Sequence, residues 1–287
     1  MKRKFLFIHN PISGGSKSNF IKILESQKHK FPKHRVINTT HIGHAKELAN
    51  QYKNDFDVIV AVGGDGTVNE VASALVNSNT KMGVIPQGSG NGFSNHLGIS
   101  QNITNALNTL LLGKTKMIDS VLINKSAFVN VAGIGFDGHI TKLFNQTKSR
   151  GLWSYVHLVL MEFLKFKEFE YTLVANNDTF KGSAFIIALA NSSQYGNNFT
   201  IAPNSKSNDG LVNVLIFKKP PIWITPYIIW RIFKGKPISS KLCTEVITTA
   251  LVLKHQNQPV HLDGEVANFE IAELSIKVIQ NSLLLIS

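Results

Sequence analysis

The chain has 287 residues, 43% hydrophobic and 17% charged, a balance that excludes a disordered or collagen-like polymer and suffices for about two domains. A net charge of +12 favours phosphate groups, anionic membrane surfaces or nucleic acid as partners, and charge alone does not choose among them. The single cysteine, Cys243, excludes an internal disulfide and a thiolate metal cluster, fits a reducing compartment and is expected as a small core residue.

Met1-Lys2-Arg3-Lys4 precedes the apolar run Phe5 to Ile8, which is too short for a signal peptide. No run reaches the ~18 apolar residues of a membrane span, so a cytoplasmic chain touching membranes from outside is expected. Phe5 to Ile8, Arg35 to Asn38, Val58 to Val62 and Met82 to Ile85 read as buried strands. Asn19 to Lys28, Ala45 to Tyr52, Val68 to Val76 and Ile103 to Leu112 have helical spacing between them. This alternation predicts a mostly parallel sheet with helices on both faces, and ligands beyond the carboxyl ends of its strands. From about residue 121 the pattern turns β-rich: Ala127 to Val131, Tyr171 to Ala175, Ser183 to Ala190, Leu211 to Phe217, Glu245 to Lys254 and Leu274 to Ile279. These runs predict an antiparallel sandwich or open barrel with a hairpin tip at Asn177-Asp178 and helical insertions near 150–168 and 222–233.

Three glycine segments each follow a first-half strand: Asn10-Pro11-Ile12-Ser13-Gly14-Gly15, Gly63-Gly64-Asp65-Gly66-Thr67 and Gly88-Ser89-Gly90-Asn91-Gly92. Glycine lets backbone N–H groups approach phosphate oxygens, and a following helix N-terminus adds a favourable dipole. On one sheet edge the three predict a phosphate-binding crevice. Neither the dinucleotide pattern G-x-G-x-x-G in the first loop nor a Walker loop is present, which disfavours an ordinary dehydrogenase and a P-loop NTPase. Asp65 would repel phosphate unless a cation such as Mg²⁺ lay between them; the plainer alternative is a turn residue. The 10 histidines show no metal-ligand spacing and read as surface or satisfied polar residues, His44 being either a nucleotide contact or a helix-start residue.

These segments, with Thr39-Thr40, His44-Ala45-x-Glu47, Val68-Asn69-Glu70, Ala132-Gly133-Ile134-Gly135-Phe136-Asp137 and Leu262-Asp263-Gly264-Glu265, resemble in order the catalytic region of diacylglycerol, sphingosine and ceramide kinases and bacterial soluble lipid kinases. The resemblance implies an α/β nucleotide-binding domain over 1–120, similar to NAD kinase and phosphofructokinase, to which 280–287 return. A mainly antiparallel β-sandwich acceptor domain over 121–279 would complete an interdomain active site. It implies ATP and Mg²⁺, and a nucleotide site made by Asn10, Pro11, Ser13, Gly14, Thr40, Gly64, Asp65, Gly66, Thr67, Asn69, Glu70, Ser89 and Asn91. Glu265 or Asp263 would be the general base, with Asp65 in the metal and phosphate network. Asp209, with the carbonyls of Lys206 and Leu211, would hold a structural Mg²⁺, although Asn208 and Asn213 stand where the family often has carboxylates. Gly92 replaces the Asp usual in bacterial diacylglycerol kinases; the Gly-Ser-Gly-Asn form is closer to sphingosine and ceramide kinases.

The implied activity is ATP-dependent phosphorylation of a lipid alcohol, diacylglycerol-like or sphingoid/ceramide-like, in phospholipid biosynthesis. A lipid substrate and an anionic membrane surface are the expected partners; nucleic acid is not, and a homodimer is compatible. Ile222-Trp223-Ile224, Tyr227-Ile228-Ile229-Trp230 and Ile232-Phe233, flanked by Lys218, Lys219, Arg231, Lys234 and Lys236, have interfacial chemistry, as has Leu152-Trp153 through Leu164; core-packing helices are the alternative for each. The alternative functions are a kinase of a soluble small molecule related to NAD kinase, and a non-catalytic nucleotide or anionic-lipid binding protein.

Overall fold

The computed structural model describes residues 3–14, 19–147, 152–196, 199–238, 241–269 and 272–287, without the side chains of 145 and 152–155. Gly15 of the first glycine segment, the start of the insertion expected at 150 and the Trp153 side chain therefore lie outside the described residues. The first half runs β1 (Phe5–His9), α1 (Phe20–Ser26), β2 (His34–Asn38), α2 (His44–Tyr52), β3 (Val58–Gly63), α3 (Asp65–Leu75), β4 (Lys81–Pro86), α4 (Gly92–His96) and α5 (Ile103–Leu112). Then follow β5 (Thr115–Ile123), β6 (Ser126–Phe128), β7 (Val131–Gly135), α6 (Phe136–Gln146), α7 (Leu152–Lys165), β8 (Phe169–Ala175), β9 (Asp178–Ala184), β10 (Ile186–Ala190) and β11 (Val212–Phe217). A 3₁₀ turn (Ile222–Ile224) leads into α8 (Thr225–Phe233), and β12 (Cys243–Thr248), β13 (Ala250–His255), β14 (Val260–Leu262), β15 (Glu265–Ala267) and β16 (Glu273–Ile286) complete the chain.

Every residue of β1 and β3 is buried, the pattern of parallel strands covered on both faces. β2, β1, β3 and β4 pair in parallel in that order, as the alternating pattern predicts. Phe5, Phe7, Phe20 and Phe31 interlock under one face, with ring centroids 5.1–6.1 Å apart. Each stabilises the fold by about 1.5–3 kcal/mol through burial. α5 starts where the Asn102 side chain accepts the Asn105 N–H at 3.2 Å, a side-chain cap.

The sheet does not stop at β4. β16 pairs in parallel with β4 and antiparallel with β5 and β13, carrying the sheet on through β8 and β9 to ten strands. Leu283, Leu285 and Ile286 pack in the first core, whereas Leu274, Ile276 and Val278 pack in the second. Residue 120 lies inside β5, and residue 280 inside the β16 irregularity between Ile279 and Leu283. The two lobes are thus joined by continuous strands rather than by linkers. At that irregularity the buried Asp119 carboxylate accepts the N–H groups of Gly210 and Asn281, both at 2.7 Å, and both residues have positive φ.

The second sheet is antiparallel, ordered β12-β11-β10-β7-β14-β15, and its inner face packs on the β13, β8 and β16 end of the first. The run Glu245 to Lys254, read as one strand, is two: β12 pairs with β11 in the second sheet and β13 with β8 and β16 in the first. The chain switches sheets between them, as sandwich strands do at corners. The β8–β9 hairpin turns on Asn176 and Asn177, at φ 53° and 67°, one residue before the expected tip. Cys243 is half-buried, and burial with the nearby Glu245 charge pushes its thiol up to about 12, so it is unreactive. No helix among the described residues is long and apolar enough to cross a membrane.

Candidate active site

β1, β3 and β4 end side by side, and their three glycine loops meet there. A Cβ on Gly88 would lie 2.5 Å from Gly64 Cα, and one on Gly64 would lie 3.6 Å from Ser13 Oγ, so the three loops are in mutual contact. Asn10 Nδ2 donates to Thr67 Oγ1 at 3.2 Å, tying the first loop to the second. The earliest intrahelical bond of α3 runs from Val68 N–H to Gly64 O. The N–H groups of Asp65, Gly66 and Thr67 therefore have no carbonyl inside the helix to accept them, and the helix dipole makes this end attractive to anions. Pro11, Gly14 and Ser89 lie exposed on the crevice loops.

Asp65 sits between this helix start and the third loop. Its carboxylate accepts the Phe93 N–H at 3.4 Å. Burial raises its pKa to about 6; the Phe93 N–H opposes the rise and the charge of Asp263 adds to it. Glu265, on β15, reaches across from the other lobe: it is exposed, and a Cβ on Gly66 would collide with its carboxylate. The crevice therefore gathers carboxylates from both lobes around the start of α3.

Several expected site residues also make hydrogen bonds within the protein. Asp263, weighed as a base, is buried and accepts four hydrogen bonds: from the N–H groups of Val129 at 3.0 Å and of Asn130 and Val131 at 2.9 Å, and from Asn69 Nδ2 at 2.6 Å. Burial raises its pKa against these four donors. Occupied in this way it holds the lobes together, with Asn69 as its partner across the gap. Glu70, expected at the nucleotide, accepts the N–H groups of Gly43 (2.8 Å) and Ala45 (2.9 Å) at the start of α2. Asn91 folds back on its own loop, accepting the Gly88 N–H and donating to the Gly88 carbonyl, both at 2.8 Å. Thr40 donates its N–H to His44 Nδ1 at 3.0 Å, and His44 stacks on His41 at 4.7 Å.

The residues expected to hold a structural cation, Lys206, Asp209 and Leu211, lie between β10 and β11. Asp209 is exposed and its carboxylate accepts the Leu211 N–H at 3.0 Å, an Asx turn, while Lys206 is exposed and Leu211 half-buried. The buried Asp119 anchors that loop through Gly210. No group of three His, Cys, Asp or Glu side chains able to hold a metal occurs among the described residues. A Mg²⁺ ion in the crevice would take Asp65 as its protein carboxylate and complete its shell with phosphate oxygens and water, the usual arrangement for this ion.

Beside the crevice, His261 and Tyr195, which the sequence does not single out, meet Asp137. His261 is buried, and its Nε2 lies 2.7 Å from Asp137 Oδ2, which also accepts the Tyr195 hydroxyl. Burial pushes Asp137 upward, but its interactions with His261 and Tyr195 hold it below the usual carboxylate range. Gly264 N–H donates to His261 Nδ1 at 3.2 Å, which sets the ring proton on Nε2 and braces the turn before Glu265. The available signal was position: His261 stands two residues before Asp263.

Gly92 has a local explanation. A Cβ there would run into the Tyr195 carbonyl, so glycine lets the loop that carries Tyr195 close on the third glycine segment. Gly92→Ala should destabilise the chain by about 1–3 kcal/mol, read as a lower midpoint in thermal or urea unfolding.

Comparisons with known proteins agree with this anatomy. A family model for the diacylglycerol kinase catalytic domain matches residues 4–123, and one for the YegS C-terminal NAD kinase beta sandwich-like domain matches 130–281. The diacylglycerol kinase of Bacillus subtilis (strain 168) is 32% identical over 233 residues, covering 76% of this chain and 75% of that one. A Klebsiella pneumoniae (strain 342) protein named "probable lipid kinase YegS-like" is 34% identical over 166 residues, 56% of this chain; the chain spans only 56% of that relative's length. A diacylglycerol kinase structure from Bacillus anthracis superposes with a TM-score of 0.74 at 21% identity, covering 99% and 96% of the two chains. An NAD kinase from Archaeoglobus fulgidus, solved with ATP, superposes at 0.55 and 13% identity over 99% and 93%. The fold is thus of the NAD kinase-like kind, a mostly parallel α/β lobe and an antiparallel sandwich lobe. The chain belongs to the diacylglycerol kinase and YegS-like lipid kinase family.

Proposed function

We propose that this chain transfers the γ-phosphoryl group of ATP to the hydroxyl of a lipid alcohol, diacylglycerol-like or sphingoid/ceramide-like. One observation carries the reading: three phosphate-type loops and carboxylates from both lobes converge on the start of α3. In this reading the α3 N–H groups, Ser13 and Thr67 hold the polyphosphate. Asp65 would hold a Mg²⁺ ion against it, and that ion, when bound, neutralises phosphate charge. Glu265 accepts the proton of the acceptor hydroxyl as its oxygen bonds to the γ-phosphorus; the bridging P–O bond breaks and ADP leaves. Asp263, His261 and Asn69 keep Glu265 and the crevice in register.

The lipid acceptor implies that the chain works in the cytoplasm against a membrane surface. Incubation with labelled ATP, Mg²⁺ and mixed micelles of diacylglycerol, sphingosine or ceramide tests the reading. Transfer to at least one is expected; none, with ATP bound normally, contradicts it. Transfer only to a water-soluble metabolite would place the chain with soluble-metabolite kinases, whose fold the NAD kinase likeness shares.

The reading also sets a pH dependence. Asp65 must be ionised to hold a cation, and its raised pKa of about 6 means that the carboxylate is lost as pH falls through that value. The pH profile of kcat/KM, which reports free-enzyme groups, should show an acid limb near 6 with a slope of about one. A profile flat down to the ordinary carboxylate range would contradict this role.

A further inference from the structure

Among the described residues, the densest set of exposed large apolar side chains lies outside the crevice, on the 3₁₀ turn and α8. Trp223 is 79% exposed, and Ile222, Tyr227, Ile229, Trp230 and Phe233 are also exposed, leaving only Ile232 of α8 buried. Residues 218–241 contain no acid and six bases, Lys218, Lys219, Arg231, Lys234, Lys236 and Lys241. Two of these build the segment. Lys219 Nζ donates to the Phe166 carbonyl at 2.7 Å, and Arg231 donates from Nε to the Pro237 carbonyl and from Nη1 to Tyr227 Oη, both at 3.0 Å. Lys218, Lys234 and Lys236 remain exposed at the rim, Lys236 Nζ lying 5.2 Å from the Trp230 ring. Aromatic side chains in the middle and lysines at the edges match the apolar boundary and phosphate layer of an anionic bilayer. A second copy of the chain would instead bring like charges together.

The segment is also connected to the crevice. Thr200 N–H donates to the Ile232 carbonyl at 3.3 Å. Phe233 packs edge-on against Phe199 at 5.5 Å, Phe199 lies 6.3 Å from Tyr195, and Tyr195 lies 5.9 Å from His261. A row of rings thus leads from α8 to the turn that carries Glu265.

We propose that the 3₁₀ turn and α8 form the surface by which this chain docks on an anionic lipid bilayer, with Trp223, Tyr227, Trp230 and Phe233 entering the interface and Lys218, Lys234 and Lys236 meeting headgroup phosphates. The ring row then couples the docked α8 to the turn that carries Glu265, a role that rests on the lipid kinase reading; the docking itself does not.

The test is flotation of the full chain with vesicles of phosphatidylcholine alone or mixed with phosphatidylglycerol, comparing wild type, Trp223→Ser and the double variant Lys234→Glu/Lys236→Glu. Wild type should float with the anionic vesicles, weakly with the neutral ones, and less at high salt. Each variant should lose about tenfold or more in partition, with an unchanged unfolding midpoint. Brominated acyl chains should quench wild-type tryptophan fluorescence, and quenching should fall in Trp223→Ser. Equal binding by wild type and variants, equal binding to both vesicle types, or no binding to anionic vesicles overturns the proposal. So does a wild-type dimer that Trp223→Ser converts to monomer, which would make the patch a self-interface. Phosphoryl transfer to micellar acceptor is read separately: its absence in a wild type that floats refutes the kinase reading and leaves the docking surface standing.

Discussion

Glu265→Gln is expected to lower phosphoryl transfer by about 10²–10⁴-fold, the usual contribution of a general base, while ATP affinity and the unfolding midpoint stay near wild type. The expectation follows from location. Glu265 is exposed and lies against Gly66 at the start of α3, so the substitution keeps the shape of the side chain and removes its ability to take a proton. The loss should fall on kcat with KM for ATP little changed, because in the proposed reading backbone and hydroxyl groups of the opposite lobe would hold the polyphosphate. A Glu265→Gln protein that turns over normally would assign the base elsewhere. The same assay addresses the non-catalytic alternative: a mere binder has no turnover to lose.

Asp263→Asn should do something different although the two acids are two residues apart. The carboxylate collects three backbone N–H groups and the Asn69 amide in a buried position. An amide group offers one oxygen where the carboxylate offers two, and turns N–H donors toward donors. The expected cost is about 2–4 kcal/mol, or a fall of roughly 5–15 °C in Tm. Asn69→Ala should produce a smaller loss of the same kind, and the two should be non-additive in a double-mutant cycle because they share one hydrogen bond. Reduced activity in Asp263→Asn with unchanged stability would return Asp263 to the chemistry.

The contrast between these acids shows where sequence reading stops. Leu262-Asp263-Gly264-Glu265 marks the place, but the inward facing of Asp263 depends on the N–H groups of Val129, Asn130 and Val131, more than 130 residues upstream. Glu70 is a parallel case: close to Gly66-Thr67 in the sequence it reads with the phosphate loop, yet about 1.4 helical turns beyond Asp65 it faces α2. β1, β3 and β4 were legible because strands buried on both faces are unbroken apolar runs. The Val131–Gly135 strand and the α6 helix after it were hidden by glycines. Gly133 makes room for Asp137 and His261, and Gly138 for the Pro259 backbone, so composition there reports close packing rather than a loop. β5 begins on exposed residues and only later turns inward, which blurs its period. The β12–β13 run is β-rich throughout, and nothing in that pattern records a change of sheet at Thr249.

In the proposed function the polyphosphate lies at the start of α3, between Asp65 and Glu265. A crystal structure of the chain with a non-hydrolysable ATP analogue and Mg²⁺ measures this directly. The β- and γ-phosphates are expected on the N–H groups of Asp65, Gly66 and Thr67, with the metal on Asp65 and the Glu265 carboxylate facing the γ-phosphate. Phosphates bound away from α3, or a Glu265 carboxylate turned out of the crevice with nucleotide in place, would contradict it.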